Sequence, residues 1–379
     1  MFLSFVGKLK RTRGFWVVLA MIFAAAFFQL VALNSQEETE MKNQQPATVY
    51  FTADISPESV MRLYEAINEG VHGKVGVKVH FGEDGNQYYV RPELLKPLLQ
   101  ATGGSFVETN TLYPGPRQST DSHIALAKEH GFGYAPIDIL DSEGETPLPC
   151  NLSHFNEVWV GSRFNEYDSY ILVSHFKGHM MAGFGGAIKN ISMGMGSRSG
   201  KTAMHRSHYP LTTPEKCINC GLCVQNCATN AITLEPLRVH PSACVGCGKC
   251  LAVCPQKCFR VAESDGGHDF FEEKLAEYAK GIADHTTMVY INFINNVSPD
   301  CDCMSHPHDP FVHDIGVLAS TDPVALDRAC LDMVNEAAGS EDAFLDINNV
   351  SGNHQLDHAE SIGLGVQNYT LINLDEEGR

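Results

Sequence analysis

The chain is 379 residues long, with 27 Lys and Arg against 45 Asp and Glu, a formal net charge of −18 and 13 cysteines. With 44% hydrophobic and 19% charged residues it can bury a large core, which excludes disorder throughout, and its length suggests roughly two domains. The acidic balance speaks against a nucleic-acid partner, because phosphate neutralisation needs a basic surface. A small disulfide scaffold is excluded as well, since eight of the 13 cysteines fall between Cys217 and Cys254.

Residues 1–40 read as an N-terminal membrane anchor or signal segment. Lys8, Lys10, Arg11 and Arg13 precede an apolar run from Phe15 to Leu33 broken only by Gln29. Those 19 residues, at a rise of about 1.5 Å each, just cross a bilayer core of roughly 30 Å. The expectation is membrane association through this single segment, with the basic flank cytoplasmic and the bulk of the chain outside. A cleaved signal peptide and a translation start at Met41, which would leave a cytoplasmic protein, are the alternatives. Lys10-Arg11-Thr12-Arg13 lacks the adjacent arginine pair of a twin-arginine export signal.

From Thr48 onward short β-rich runs alternate with capped helical stretches. The expected fold class is α/β: a mostly parallel open sheet with helices on both faces, interrupted by a smaller α+β insertion. The predicted strands are Val49 to Thr52, Val75 to His80, Ser105 to Thr109, Tyr170 to Ser174, Met288 to Phe293 and Ile315 to Ser320. Ser56-Pro57-Glu58 signals a helix start, and Asp322-Pro323 repeats the device. Asp121 is read as capping a helix ended by Gly131, and Phe270 to Ala283 as another amphipathic helix. The host domain is assigned to residues 41–203 and 266–379, and the insertion to 204–265.

Within the insertion an internal repeat recurs at an offset of 27 residues. Cys217-Ile-Asn-Cys220-Gly-Leu-Cys223-Val-Gln-Asn-Cys227 is matched by Cys244-Val-Gly-Cys247-Gly-Lys-Cys250-Leu-Ala-Val-Cys254-Pro255. Cys-x2-Cys-x2-Cys-x3-Cys therefore occurs twice. The segment resembles a two-cluster bacterial ferredoxin domain, in which the fourth cysteine of each run serves the other cluster. That resemblance implies one [4Fe-4S] cluster on Cys217, Cys220, Cys223 and Cys254, and a second on Cys244, Cys247, Cys250 and Cys227. Zinc and disulfides are the competing uses of such cysteines. Ala228 stands where the ferredoxin pattern has proline. Cys258, Cys150 and Cys330 read as small packing residues.

A second resemblance spans nearly all of residues 48–365. Lys78-Val-His-Phe-Gly-Glu83, Thr109-Asn-Thr-Leu-Tyr113, Ser174-His-Phe-Lys-Gly-His179, Gly183-Phe-Gly-Gly-Ala-Ile-Lys-Asn190, and Asn292-Phe-Ile-Asn-Asn296 running to Cys301-Asp-Cys303 resemble the domain of unknown function 362 family. The resemblance implies an iron-sulfur protein and no particular substrate.

Each of these motifs follows a predicted strand, and in an open parallel sheet such ends share one edge, where ligands bind. His80, Glu83, Asn110, His175, Lys177, His179, Lys189, Asn295, Asn296, Cys301 and Cys303 are therefore expected to converge on one crevice, with Asp322 at the same edge. His80, His175, His179 and Lys189 are the candidate catalytic residues. Lys78, Lys177 and Lys189 would position an anionic substrate, and the glycines of 183–186 would turn backbone N–H groups toward it. Cys301 and Cys303, with His306, His308 and His313 nearby, have the composition of a further metal site. Gly200-Lys201-Thr202 is not the end of a phosphate loop, because position 195 is Met195.

Three functions follow from these readings. The first is an oxidoreductase relaying electrons through two [4Fe-4S] clusters to a small-molecule or cofactor site at the strand ends. The second is a non-catalytic electron-transfer or assembly module that docks a protein partner, and the third is metal handling by Cys301 and Cys303. The expected partners are a redox protein or electron carrier, with a basic protein or a neutral carrier favoured by the acidic charge.

Overall fold

The computed structural model describes residues 45–206, 209–260 and 267–376. From Ala47 onward they form one compact unit, built on an eight-stranded sheet. Its strands are β1 (Ala47–Thr52), β2 (Val75–Lys78), β3 (Ser105–Glu108), β4 (Ile137–Ile139), β5 (Ser169–His175), β6 (Thr287–Ile294), β7 (Gly316–Ser320) and β8 (Tyr369–Asn373). The spatial order is β8-β1-β7-β6-β5-β2-β3-β4. Every pairing is parallel except the two made by β7, which runs against both β1 and β6. The fold is thus the expected mostly parallel α/β sheet.

The central strands are buried on both faces, and their side chains alternate between two cores. Tyr170 and Leu172 of β5 join Tyr290 and Ile294 of β6 on one face, while Ile171 and Val173 join Val289, Ile291 and Phe293 on the other. The first face is covered by the helices Ala187–Met195, Gly267–Ala283, Pro323–Ala338 and Asn353–Ser361. The second is covered by Pro57–Ile67 and Lys96–Thr102. Helix starts follow their chemistry. Ser56 accepts from the backbone N–H of Ser59 in a capping box, and Asp322 Oδ1 accepts from Val324 and Ala325. The helix Thr120–Glu129 begins two residues earlier than expected, after Ser119, so Asp121 lies in its first turn and does not cap it.

Two strands have no counterpart in the sequence reading. β4 and β8 are the sheet edges, three and five residues long. Each is held by one neighbour rather than by a hydrophobic pattern of its own, so period-two alternation is weak there.

The repeat-bearing segment has a core separate from the two sheet cores, made of Cys223, Ile232, Leu237, Cys258 and Phe259. Leu211–Thr212 pairs with Phe259–Arg260, and Ile232–Leu234 forms a hairpin with Leu237–Val239. The two cysteine runs carry matching short helices, Leu222–Gln225 and Lys249–Val253, each entered through a glycine in the left-handed region. The boundary positions 207–208 and 261–266 lie outside the described residues.

The expected localisation requires correction. The apolar run Phe15 to Leu33 lies outside the described residues, and among the described residues no helix is long and apolar enough to cross a membrane. Membrane association through a single N-terminal span is therefore not upheld.

Candidate functional site

The C-terminal ends of β2, β3 and β5 stand side by side and carry Lys78, Glu108 and His175, all buried. Beyond β5 the chain stays extended through a short hairpin, Lys177–His179 against Gly183–Gly185. Period-two geometry puts His175, Lys177 and His179 on one side and fully buried Phe176 on the other. Gly178 is required here: a Cβ would lie 2.1 Å from the carbonyl oxygen of Pro299. The spacing that would have placed His175 and His179 on one helix face is instead realised on a strand.

These side chains line one crevice with about 1230 Å³ of empty space counted out to bulk solvent. All four candidate catalytic residues reach it, together with Lys177, Cys301 and Cys303. Glu83, Asn110, Asn295 and Asn296 do not line it. Glu83 supports the wall through Tyr113 (2.9 Å) and Arg117 (3.6 Å). Asn110 is tied to Asp141, and Asn295 serves through its carbonyl. Asn296 occupies a left-handed turn, its N–H donating to Asp314. Asp322 lies at the opposite edge, because β7, the strand it follows, is the reversed one.

The floor is a network of buried charges. Glu108 pairs with Lys78 at 2.9 Å and with Arg117 at 3.0 Å. Burial pushes the Glu108 carboxyl up, but the two cations outweigh it and hold it far below the usual range. Arg117 also donates to His80 Nε2 at 2.6 Å. Burial and this guanidinium hold His80 neutral, well below its ordinary value, so His80 is engaged as an acceptor rather than free to take a proton. His175 sits between two acceptors, Asp302 Oδ1 at 2.8 Å and the Asn295 carbonyl at 2.7 Å. Each ring nitrogen thus faces an acceptor, and His175 is locked against Asp302. Lys177 joins the same carboxylate at 3.2 Å.

His179 differs from these. Met181 N–H donates to its Nδ1 at 3.3 Å, which leaves the proton on Nε2, and the ring stacks on Phe271. Burial, Lys189 and His205 hold it neutral. It can therefore donate a hydrogen bond from Nε2. Lys189, on the helix Ala187–Met195, places Nζ 3.4 Å from Cys301 Sγ. The Cys303 thiol hydrogen-bonds to Cys301, and with Lys189 and Lys177 it holds Cys301 well below the ordinary thiol value against burial.

The backbone N–H groups after the glycines of 183–186 do not face the crevice ligand space. Ala187 and Ile188 donate to the carboxylate of Asp327 at 2.7 and 2.9 Å, so an internal anion already occupies that helix terminus. His306, His308 and His313 do not complete a site with Cys301 and Cys303. His308 is bound to Asp300 at 2.6 Å, and among the described residues no group of three or more His, Cys, Asp or Glu surrounds a single ion position.

The eight repeat cysteines fall into two sets around two smaller cavities. One, of about 290 Å³ of empty space, is lined by Cys217, Cys220, Cys223 and Cys254. The other, about 350 Å³, is lined by Cys227, Cys244, Cys247 and Cys250. Each cavity is thus lined by three cysteines of one run and the fourth cysteine of the other. Four backbone N–H groups donate to sulfur in matched positions: Asn219 to Cys217 and Gly246 to Cys244, Ala231 to Cys227 and Cys258 to Cys254, at 3.2 to 3.4 Å. All 13 cysteines are free thiols. A zinc ion, with bonds of about 2.3 Å to sulfur, needs its thiolates within about 4 Å of one another. Among the described residues no group of three or more His, Cys, Asp or Glu is arranged in that way. Cys258 packs in the core beside the first set, as expected of a small hydrophobe. Cys247, Gly248, Lys249 and Ala252 of the second run also line the main crevice.

The sequence matches the family described as Domain of unknown function (DUF362) over residues 75–332. The chain belongs to the DUF362 family. None of the curated proteins matches it. Among solved structures, the lactate racemase apoprotein from Thermoanaerobacterium thermosaccharolyticum is similar with a TM-score of 0.41 and 14% identity, covering 78% of this chain and 58% of that one. A structural-genomics protein from Thermotoga maritima gives a TM-score of 0.36 and 9% identity over 75% of this chain and 59% of that one. This DUF362 chain thus spans under two thirds of either structure.

Sequence reasoning missed Glu108, Arg117, Lys201 and Lys249 as crevice residues. Glu108 is next to last in the predicted strand Ser105 to Thr109, which was a usable signal. Lys201 was weighed only as a phosphate-loop lysine. It lies on the helix Arg198–His205, where its ammonium bonds the Thr109 hydroxyl and the Gly196 carbonyl.

Proposed function

We propose that this DUF362 protein is an iron-sulfur oxidoreductase whose small-molecule site is the crevice at the strand ends. The observation that carries this reading is the sorting of the eight repeat cysteines into two sets of four around two cavities, the first of which Cys258 also lines and the second of which shares Cys247 with the crevice wall. Cys217, Cys220, Cys223 and Cys254 would hold one [4Fe-4S] cluster, and Cys227, Cys244, Cys247 and Cys250 the other. When bound, the clusters would supply one-electron transfer beside the crevice.

The protein's own residues supply the rest. The Glu108 and Asp302 networks fix Lys78, Arg117, Lys177 and His175 in place, so these groups orient rather than exchange protons. His179 offers a hydrogen bond from Nε2, and Lys189 places its Nζ beside the Cys301 sulfur. Leu112, Met180, Met193 and Phe271 supply apolar wall to the crevice.

The test is anaerobic purification with iron and sulfide counts, reductive titration and spectroscopy. About eight irons are expected, falling to about four when Cys244 and Cys247 are replaced by Ser. Zinc in place of iron, or an unchanged iron count in that variant, overturns the assignment. Replacing His179 by Ala is expected to leave cluster content unchanged and to abolish substrate turnover. Full electron flux to a partner protein in that variant would favour a docking module over an enzyme.

A further inference from the structure

The crevice holds more positive charge than its carboxylates answer. Six cations line it: Lys78, Arg117, Lys177, Lys189, Lys201 and Lys249. Of the carboxylates in or beside the crevice, Glu108 is shared between Lys78 and Arg117, Asp302 lies between Lys177 and His175, and Asp300 is bound to His308. Among the described residues no carboxylate lies within ion-pair distance of the other three amines. Lys201 is buried and bonds only to a hydroxyl and a backbone carbonyl. Lys249 Nζ approaches the Cys303 carbonyl at 3.4 Å and lies 4.6 Å from the centre of the Tyr113 ring. Lys189 has the Cys301 sulfur. An unpaired buried ammonium is costly, by several kcal/mol in the idealised case. In a chain of net charge −18 this concentration of cations is a local arrangement and not a property of the surface at large.

Part of the lining is apolar and soft: Leu112, Met180, Met181, Met193, Met304 and Phe271. Methionine thioethers adapt to irregular shapes and to aromatic faces. A ligand matching both features carries a negative group and an apolar body.

Resting on the reading of the crevice as a substrate site, we propose that its substrate is a small organic acid. Its carboxylate lies among Lys189, Lys201 and Lys249, and its apolar body lies against the methionines and Phe271. Burial draws Lys201 down to about 8, so a bound carboxylate also favours its charged form.

The experiment is isothermal titration of the full, anaerobically purified chain with straight-chain, branched and aromatic monocarboxylates, butyrate, isovalerate and benzoate among them, each paired with its primary amide. At least one acid is expected to bind ten times more tightly than its amide or better. Replacing Lys189 and Lys201 together by Met, which removes buried charge without removing volume, is expected to weaken that acid at least tenfold and to leave the amide within threefold. Equal binding of every acid and its amide, no binding of any acid at millimolar concentration, or full acid binding by a folded double variant overturns the proposal. Iron and sulfide are counted on the same samples. Full cluster content without acid preference sinks the substrate class alone, whereas acid preference without iron sinks the redox reading alone.

Discussion

Glu272 offers a test of the electrostatics worked from one side chain. It sits on the helix Gly267–Ala283, beside the crevice residue Phe271, and is fully buried. One carboxyl oxygen accepts from Gln355 N–H at 2.9 Å, and the other has no hydrogen-bond partner among the described residues. Burial, reinforced by Asp269, Asp342 and Asp357, pushes its pKa from 4.5 to about 9. The native protein therefore carries a neutral carboxylic acid at pH 7, while the unfolded chain ionises. A group raised in this way contributes its full stability below the unfolded value and loses it as pH rises toward the folded one, by about 1.4 kcal/mol per pH unit. By pH 7 the loss amounts to about 3 kcal/mol. Glu272→Gln keeps the volume and the acceptor for Gln355 and removes the titration. Urea unfolding of both proteins under anaerobic conditions at pH 5.5, 7 and 8.5 should show the variant more stable, by a margin that widens at each step. A margin independent of pH, or a variant less stable than the parent at pH 7, refutes the assignment of a protonated Glu272.

Glu108→Gln strands Lys78 and Arg117 in the crevice floor and should cost about 3–5 kcal/mol in the same unfolding assay. Because Glu108 is depressed in the native state, that difference is present at neutral pH and shrinks as pH falls below the unfolded value; a loss under about 1 kcal/mol at pH 7 would contradict the network. Gly248→Ala places a Cβ 2.9 Å from Met181 Sδ at a residue with φ of +70°, and should lower stability by about 1–2 kcal/mol; an unchanged melting temperature counts against the close contact of the cysteine run with the crevice wall. Asp327→Ala removes the acceptor of Ala187, Ile188 and Asn292, and amide exchange across 187–195 should accelerate while that of β5 does not.

The local chemistry was legible in the sequence. The six central strands declare themselves because burial on both faces demands continuous apolar runs, and Ser56 and Asp322 cap helices because their side chains reach the N–H groups two or three residues on. The 27-residue repeat named the eight cysteines that line the two cavities, since closely spaced sulfurs must face a common centre. Relations between distant segments were not legible. The direction of β7 is decided by pairing between strands, and it moves Asp322 away from the edge where Lys78, Glu108 and His175 meet. Whether a histidine is free or engaged depends on what folds against it: Arg117 takes up His80, Asp302 locks His175, and His179 alone of the three keeps a ring N–H to offer the crevice. The surplus of amines is of the same kind. Lys189, Lys201 and Lys249 are ordinary lysines along the chain, and only the packing of two helices and a cysteine run around one cavity lines it with all three, Lys201 buried and the other two half-buried, with no carboxylate among the described residues within ion-pair distance of any of them.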